Sequence, residues 1–282
     1  MNLSPYMDEL TSNTNSHNKE SQFYADIEKR LLQEVKVAYS KASAPQISID
    51  QGIELSIPFF DMGSVNTTHL FGLDEVMILA FYKVNKNRYK KVLDLGANVG
   101  LHSIALNKLG MDVTCFEADP QTFSQLESNL KLNQATSVHP INAAAGSYDG
   151  FAEFTRVCGN LTGSHLSGAK PNPYGKLERF DVTVVNIGAI AANFDLIKID
   201  IEGQEADVLT SISISDAQRI DFMLEVNGDD NAEIIFDYVK QAKMNIFAQH
   251  LAWQKVETLD QLPRSYKDGS VFISSKSTVP WS

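Results

Sequence analysis

The chain has 282 residues, with 24 Lys and Arg against 35 Asp and Glu for a formal net charge of −11, and 43% of it is hydrophobic. Its 16 Gly and 9 Pro are too few for a collagen-like or Pro/Gly-rich disordered architecture, and the length suffices to bury the core of one large domain with appendages. A surplus of acids repels a phosphate backbone, so nucleic acid and anionic membrane surfaces fall away as partners.

The longest uninterrupted apolar run, Val76 to Tyr82, is far short of the roughly 20 residues that span a bilayer. The first twenty residues carry Asp8, Glu9, Lys19 and Glu20 without an apolar stretch, unlike a secretory signal, which makes the cytoplasm the expected address. Residues 1–21, ending in the polar run Thr11 to Ser21, are expected to form a disordered tail, because such a run buries too little surface to offset its ordering entropy. Phe23, Ile27, Leu31 and Val35 then recur every four residues, the period of an amphipathic helix. Two alternating segments, Ile47 to Ile49 and Ile53 to Ile57, flank Asp50-Gln51-Gly52 and read as a hairpin. Residues 22–71 are thus an appendage of helix and hairpin before a main domain at 72–282. That domain opens on a helix from Leu73 to Val84, with Asp74 as its expected cap.

After Lys91 short apolar runs alternate with amphipathic stretches, as in a parallel α/β sheet. Strands are expected at 91–95, 112–117, 137–142, 194–201 and 220–226, and helices near 100–109, 121–133, 203–212 and 231–242. Residues 244–248 and 271–275 are expected to close the sheet as an antiparallel pair. Between them in the order, 151–157 and 181–185 read as strands around a long loop at 158–175, and loops of that length are commonly functional. Cys115 and Cys158 are the two cysteines; neither receives a disulfide or metal role.

Chemistry concentrates first in Asp94-Leu95-Gly96-Ala97-Asn98-Val99-Gly100. A buried strand ends in a turn whose glycines let the backbone approach a ligand, and a helix follows. An acid two residues before the first glycine, and the lack of a third glycine, disfavour a pyrophosphate and suit a ligand bearing an ammonium group. Glu117, in Phe116-Glu117-Ala118-Asp119-Pro120, stands at the end of the next strand, where a carboxylate accepts both hydroxyls of a ribose. A nucleoside-type cofactor site is the reading of the two together.

In the block Lys198-Ile199-Asp200-Ile201-Glu202-Gly203-Gln204-Glu205, period-two alternation puts Lys198, Asp200 and Glu202 on one side of a strand end. Charged groups are costly there unless paired or solvated. Lys198 and Asp200 are read either as a structural pair or as part of a site in which Asp200 or Glu202 accepts a proton from the substrate. No zinc-like spacing of His and Cys occurs, and no metal site is assigned, although Asp200, Glu202 and Glu225 are of the type that hold Mg²⁺.

These residues resemble the class I S-adenosylmethionine-dependent methyltransferases, through DLGANVG and FEADP. Within them the chain is similar to the FkbM-like family, through Leu196 to Glu205 and Leu224-Glu225-Val226-Asn227. The resemblance covers about Gly72 to Asn227. It implies a Rossmann-like, mostly parallel seven-stranded sheet flanked by helices, and S-adenosylmethionine as cofactor. It also implies that Asp94, Gly96, Ala97, Asn98 and Gly100 hold the methionine part, Glu117 beside Ala118 the ribose, and Asn142 with Ala143 the adenine. His102, in the first turn after Gly100, is assigned to the cofactor site, as is Asp200, against a plain helix-face role for the histidine. His165, in the long loop, is assigned with Asp200 and Glu202 to the catalytic side.

The activity the resemblance implies is O-methylation of a hydroxyl on a sugar, glycan or natural-product small molecule. The competing readings are N-methylation of a small-molecule amine, a nucleotide-linked oxidoreductase, and a cofactor-binding module without catalysis. A small-molecule or carbohydrate acceptor is the expected partner, and the 23–38 helix is expected either to cap its own domain or to pair with a second copy in a homodimer.

Overall fold

The computed structural model describes residues 1–170, 173 and 175–281. Pro171, Asn172 and Tyr174 of the expected 158–175 loop lie outside the described residues.

The chain does not begin as a free tail. Residues Ser4–Ser12 form helix α1 with Pro5 in its first turn, a position that proline's fixed φ favours. Leu3, Met7 and Leu10 are 0% exposed, so three apolar side chains at helical spacing dock where a disordered tail was expected. Helix α2, Gln22–Lys41, starts on Ser21, whose hydroxyl accepts from the Tyr24 amide at 3.1 Å, and buries Tyr24, Ile27, Leu31 and Val35. The hairpin of β1, Gln46–Asp50, and β2, Ile53–Ser56, follows. It is clamped to the main domain by Asn133, whose amide bonds both the N–H and the carbonyl of Ser56 at 2.7 Å. Helix α3, Leu73–Val84, is capped at Gly72 rather than Asp74, and its side chains from Val76 to Tyr82 are all buried.

The main sheet takes its strands from the remainder: β3 (Lys91–Leu95), β4 (Asp112–Phe116) and β5 (Val138–Ile141), with helices α4 (Leu101–Lys108) and α5 (Pro120–Leu132) between them. An insertion follows, made of β6 (Ala144–Gly146), β7 (Gly150–Val157), β8 (His165–Leu166) and β9 (Leu177–Asn186). Then come β10 (Leu196–Ile199), α6 (Glu205–Ser211), α7 (Ile214–Ala217), β11 (Asp221–Leu224), α8 (Asp229–Gln241), β12 (Asn245–Ala248), β13 (Gln254–Lys255) and β14 (Val271–Ser274).

The sheet order is β13-β12-β14-β11-β10-β3-β4-β5. From β5 through β11 the pairs are parallel, while β14 runs antiparallel to both β11 and β12. The two-residue β13 at the edge adds to the seven expected strands. The order reverses between β3 and β10, and ligands of open α/β sheets bind outside the carboxyl ends at such a switch point.

The insertion is a second sheet of order β6-β9-β7-β8. Its β7 and β9 pair antiparallel over eight residue positions, Gly150 to Val157 against Val184 to Leu177, so the stretch that broke the α/β rhythm is one long hairpin beside the carboxyl edge. One apolar core runs from Leu3, Ile27, Leu55 and Phe71 to Val92, Val113 and Phe272; a second, on the other face, packs α6 and α8 against β10 and β11. Among the described residues no helix is long and apolar enough to cross a membrane.

Candidate active site

At the carboxyl ends of β3, β4, β10 and β11 lies a cavity of about 720 Å³, within the range usual for small-molecule and cofactor sites. Its floor is the turn after β3. Gly96 has φ +80°, and a Cβ there would sit 1.8 Å from the backbone oxygen of Asp200, so only glycine allows the ends of β3 and β10 to meet. Gly100, φ +93°, opens α4 in the left-handed region, and a Cβ would lie 2.5 Å from Leu126.

Glu117 stands on the wall after β4. Its two carboxylate oxygens accept from the backbone N–H of Asp119 at 2.8 Å and of Asn98 at 2.9 Å. Burial pushes the Glu117 carboxyl up to about 7. Each oxygen keeps a further lone pair for a donor in the cavity, which is what a ribose diol requires. Ala118, Ala143, Ala144 and Phe116 supply an apolar lining next to it. The neighbouring Asp119 caps α5 and holds Arg156 of the insertion at 2.6 Å, fixing the second sheet against this wall.

The charged block follows β10. Lys198 is 5% exposed, pairs across the sheet with Asp94, and lies 3.6 Å from the Asp94 carboxylate and 3.3 Å from that of Asp200. Burial alone would lower its ammonium, but Asp200 and Asp94, with Glu75 and Glu225, hold it above its ordinary value. Asp200 lines the cavity with a side chain 33% exposed. Glu202 also lines it, in a left-handed backbone conformation of φ +61°, with its carboxylate on Lys170. Glu225, at the end of β11, is raised well above the usual carboxylate range by burial and by Asp200 and Glu75. Glu205 is turned inward: it accepts from the Gly203 amide at 2.8 Å and from Asn231 at 3.1 Å, locking the turn into α6, and burial pushes it up to about 7.

Of the residues expected from sequence, Gly96, Asn98, Glu117, Ala118, Ala143, Asp200 and Glu202 line the one cavity. The others lie behind it. Asp94 is 0% exposed, bonded by the Ser103 hydroxyl at 2.6 Å and paired with Lys198, so it braces the turn from beneath. Ala97 and Gly100 are backbone of that turn, the Ala97 N–H donating to Phe116 at 2.8 Å. Asn142 faces outward and ties its amide to the carbonyls of Glu117 and Ala118 at 2.9 and 3.2 Å. His165 is corrected outright: it is 1% exposed on β8, with Nδ1 on the Gly163 carbonyl at 2.9 Å. A buried ring held by its own loop is a packing residue, and burial lowers its pKa; its neighbours Asn160 to Ser164 are what reach the cavity. His102 is likewise 8% exposed and meets Glu75, not the cavity.

Residues that sequence reasoning left without a site role include Glu75 from α3, Asn227 and Arg264, all lining the cavity. The side-chain nitrogen of Asn227 is buried and has no hydrogen-bond partner among the described residues. Among the described residues no group of three or more His, Cys, Asp or Glu is arranged to hold a metal ion.

A glycine turn after the first strand of the sheet, a buried carboxylate facing the cavity after the second and a charged edge after the fourth are the arrangement of a class I methyltransferase site. The family model described as the methyltransferase FkbM domain matches residues 94–250, and the chain belongs to that family. It is an S-adenosylmethionine-dependent methyltransferase. Glu117 fits such a cofactor by its open lone pairs, and the cavity fits it by volume and by the apolar wall beside the carboxylate. No curated protein matches the chain.

Among solved structures, a Podospora anserina methyltransferase with S-adenosylhomocysteine bound shares 10% identity over 71% of this chain and 78% of its own, with a TM-score of 0.39. A SAM-dependent methyltransferase of Agrobacterium tumefaciens shares 10% over 82% and 69%, with a TM-score of 0.40. The precorrin-6y C5,15-methyltransferase of Geobacter metallireducens shares 13% over 68% and 82%, with a TM-score of 0.35.

Proposed function

We propose that this enzyme methylates a hydroxyl oxygen of a small-molecule or carbohydrate acceptor, with Asp200 as the general base. The observation that carries the reading is Asp200 itself: a partly exposed carboxylate on the cavity wall, fixed at Oδ2 by Lys198 at 3.3 Å. The bound cofactor supplies an activated methyl group on a sulfonium. A hydroxyl attacks poorly until its proton is removed; with the cofactor bound, Asp200 would take that proton as the carbon–oxygen bond forms and the methyl carbon–sulfur bond breaks, the electron pair leaving on the sulfur of S-adenosylhomocysteine. Lys198 holds the carboxylate in place, and the surrounding walls fix the acceptor oxygen at attacking distance. Glu202 is the less apt base, because its carboxylate is engaged by Lys170.

The rim carries Asn160, Thr162, Ser164, Gln204 and Asn227, hydrogen-bonding side chains of the kind that suit a polyhydroxylated acceptor. A net charge of −11 disfavours a nucleic-acid acceptor. The test is methyl transfer from labelled S-adenosylmethionine to a panel of sugars and hydroxylated metabolites. Asp200→Asn is expected to lower kcat by roughly 10²- to 10⁴-fold while S-adenosylhomocysteine binds as in the wild type. A variant with unchanged kcat removes Asp200 from the role, and methylation of amines alone removes the oxygen acceptor.

A further inference from the structure

We infer that Glu75 of α3, held by His102, is the residue that takes the ammonium group of the cofactor's methionine part. Glu75 lies outside residues 94–250, the segment matched by the family, yet its side chain lines the cavity together with Gly96, Asp200 and Glu225. Its Oε2 accepts from His102 Nε2 at 2.7 Å, and the Nδ1 of that ring meets the Tyr82 hydroxyl at 3.2 Å. An ionised carboxylate can only accept, so Nε2 carries the hydrogen. The Tyr82 hydroxyl, kept protonated by burial, lies within hydrogen-bond reach of Nδ1 on the far side of the ring. A side chain from the same helix as Glu75, one more than six residues on, therefore fixes the imidazole that fixes Glu75.

Burial would raise the Glu75 carboxyl, but His102 brings it below its ordinary value. The cavity wall that carries Gly96, Asp200 and Glu225 thus also presents the Glu75 carboxylate. Lys198, the buried cation nearby, is already shared by Asp94 and Asp200. An ammonium donating to Glu75 satisfies the second carboxylate oxygen, and a neutral or anionic group there leaves it uncompensated. The inference concerns the cofactor and stands whether the acceptor atom is oxygen or nitrogen.

The experiment is calorimetric titration of wild type and Glu75→Gln with three ligands: S-adenosylhomocysteine, its deaminated analogue that retains the carboxylate, and 5′-methylthioadenosine. Glu75→Gln is expected to weaken S-adenosylhomocysteine roughly 10- to 100-fold and to leave the two ligands without an ammonium within about threefold of wild type. Retained binding of those two also reports an intact fold. Unchanged S-adenosylhomocysteine affinity, or an equal loss for all three ligands, overturns the assignment. His102→Gln, which loosens Glu75 and keeps its charge, provides the same three-ligand comparison, with a smaller loss confined to S-adenosylhomocysteine.

Discussion

At the scale of single residues, the cofactor site rests on carboxylates whose ionisation the fold controls. In the reading proposed for Glu117, its anion accepts the ribose hydroxyls, and burial pushes the carboxyl up to about 7. Affinity for S-adenosylhomocysteine is therefore expected to rise between pH 6 and pH 8, as the proton that competes with the diol leaves. Titrations across that range check it: Glu117→Ala is expected to bind more weakly and to lose most of the slope. Sequence placed Glu117 and Asp200 at strand ends, and both line the cavity, because strand-end acids follow a known order in such sheets. It set His165 on the catalytic side, whereas the ring is buried outside the cavity lining, and it gave His102 a direct place at the cofactor, whereas the ring meets Glu75, since a histidine's type says nothing about which way its ring turns. The 1% exposure of His165 is set by the hairpin around it, whose pairing depends on residues far along the chain.

At the scale of elements, the junction of β3 with β10 decides whether the site exists. Gly96→Ala combines a positive φ with a Cβ placed 1.8 Å from the Asp200 backbone oxygen, and relief requires the two strand ends to part. The variant is expected to lose more than about 1 kcal/mol of stability and to bind S-adenosylhomocysteine poorly. Gly110→Ala is the reference: its φ is +95° with nothing within 4 Å of the new Cβ, so it is expected to cost about 1 kcal/mol and to leave binding intact. Urea unfolding with calorimetry on both variants separates strain from collision. The D-x-G-x-N-x-G spacing exposed this turn in the sequence, whereas the β7–β9 hairpin showed there only as a break in rhythm, because pairing across the long stretch between Val157 and Leu177 has no local signature.

For the whole molecule, the two ends of the chain are fastened together. His17 is 0% exposed; its Nε2 bonds the Leu10 carbonyl at 2.8 Å, its Nδ1 accepts from the Trp253 indole at 2.6 Å, and Trp281 packs edge-on at 4.6 Å. Burial lowers this histidine to about 4, so the native state holds it neutral while the unfolded chain protonates near 6.5. The unfolded state then binds the extra proton, and the contribution present above pH 6.5 is lost as the pH falls towards 4. Chemical denaturation at pH 7 and pH 5 is expected to show this loss in the wild type and a smaller one in His17→Gln. Leu10→Ala, at a site 0% exposed, is expected to cost about 2–5 kcal/mol; no change in the unfolding midpoint would return residues 1–21 to the status of a dispensable tail.

The sequence by itself determined the α/β alternation, the antiparallel last pair, the glycine turn and the two carboxylates that line the cavity, because those follow from short-range periodicity and from glycine and acid spacing. Even α1 was written there, in Leu3, Tyr6, Met7 and Leu10 at helical intervals, but the polar run after it outweighed so short a signal. Only the tertiary structure decided that this helix docks, that Asp94 lies beneath the site instead of in it, and that Glu75 from α3 completes the wall. Each of these depends on which surfaces meet across dozens of residues, and burial and charge pairing become definite only once the whole chain has closed around them.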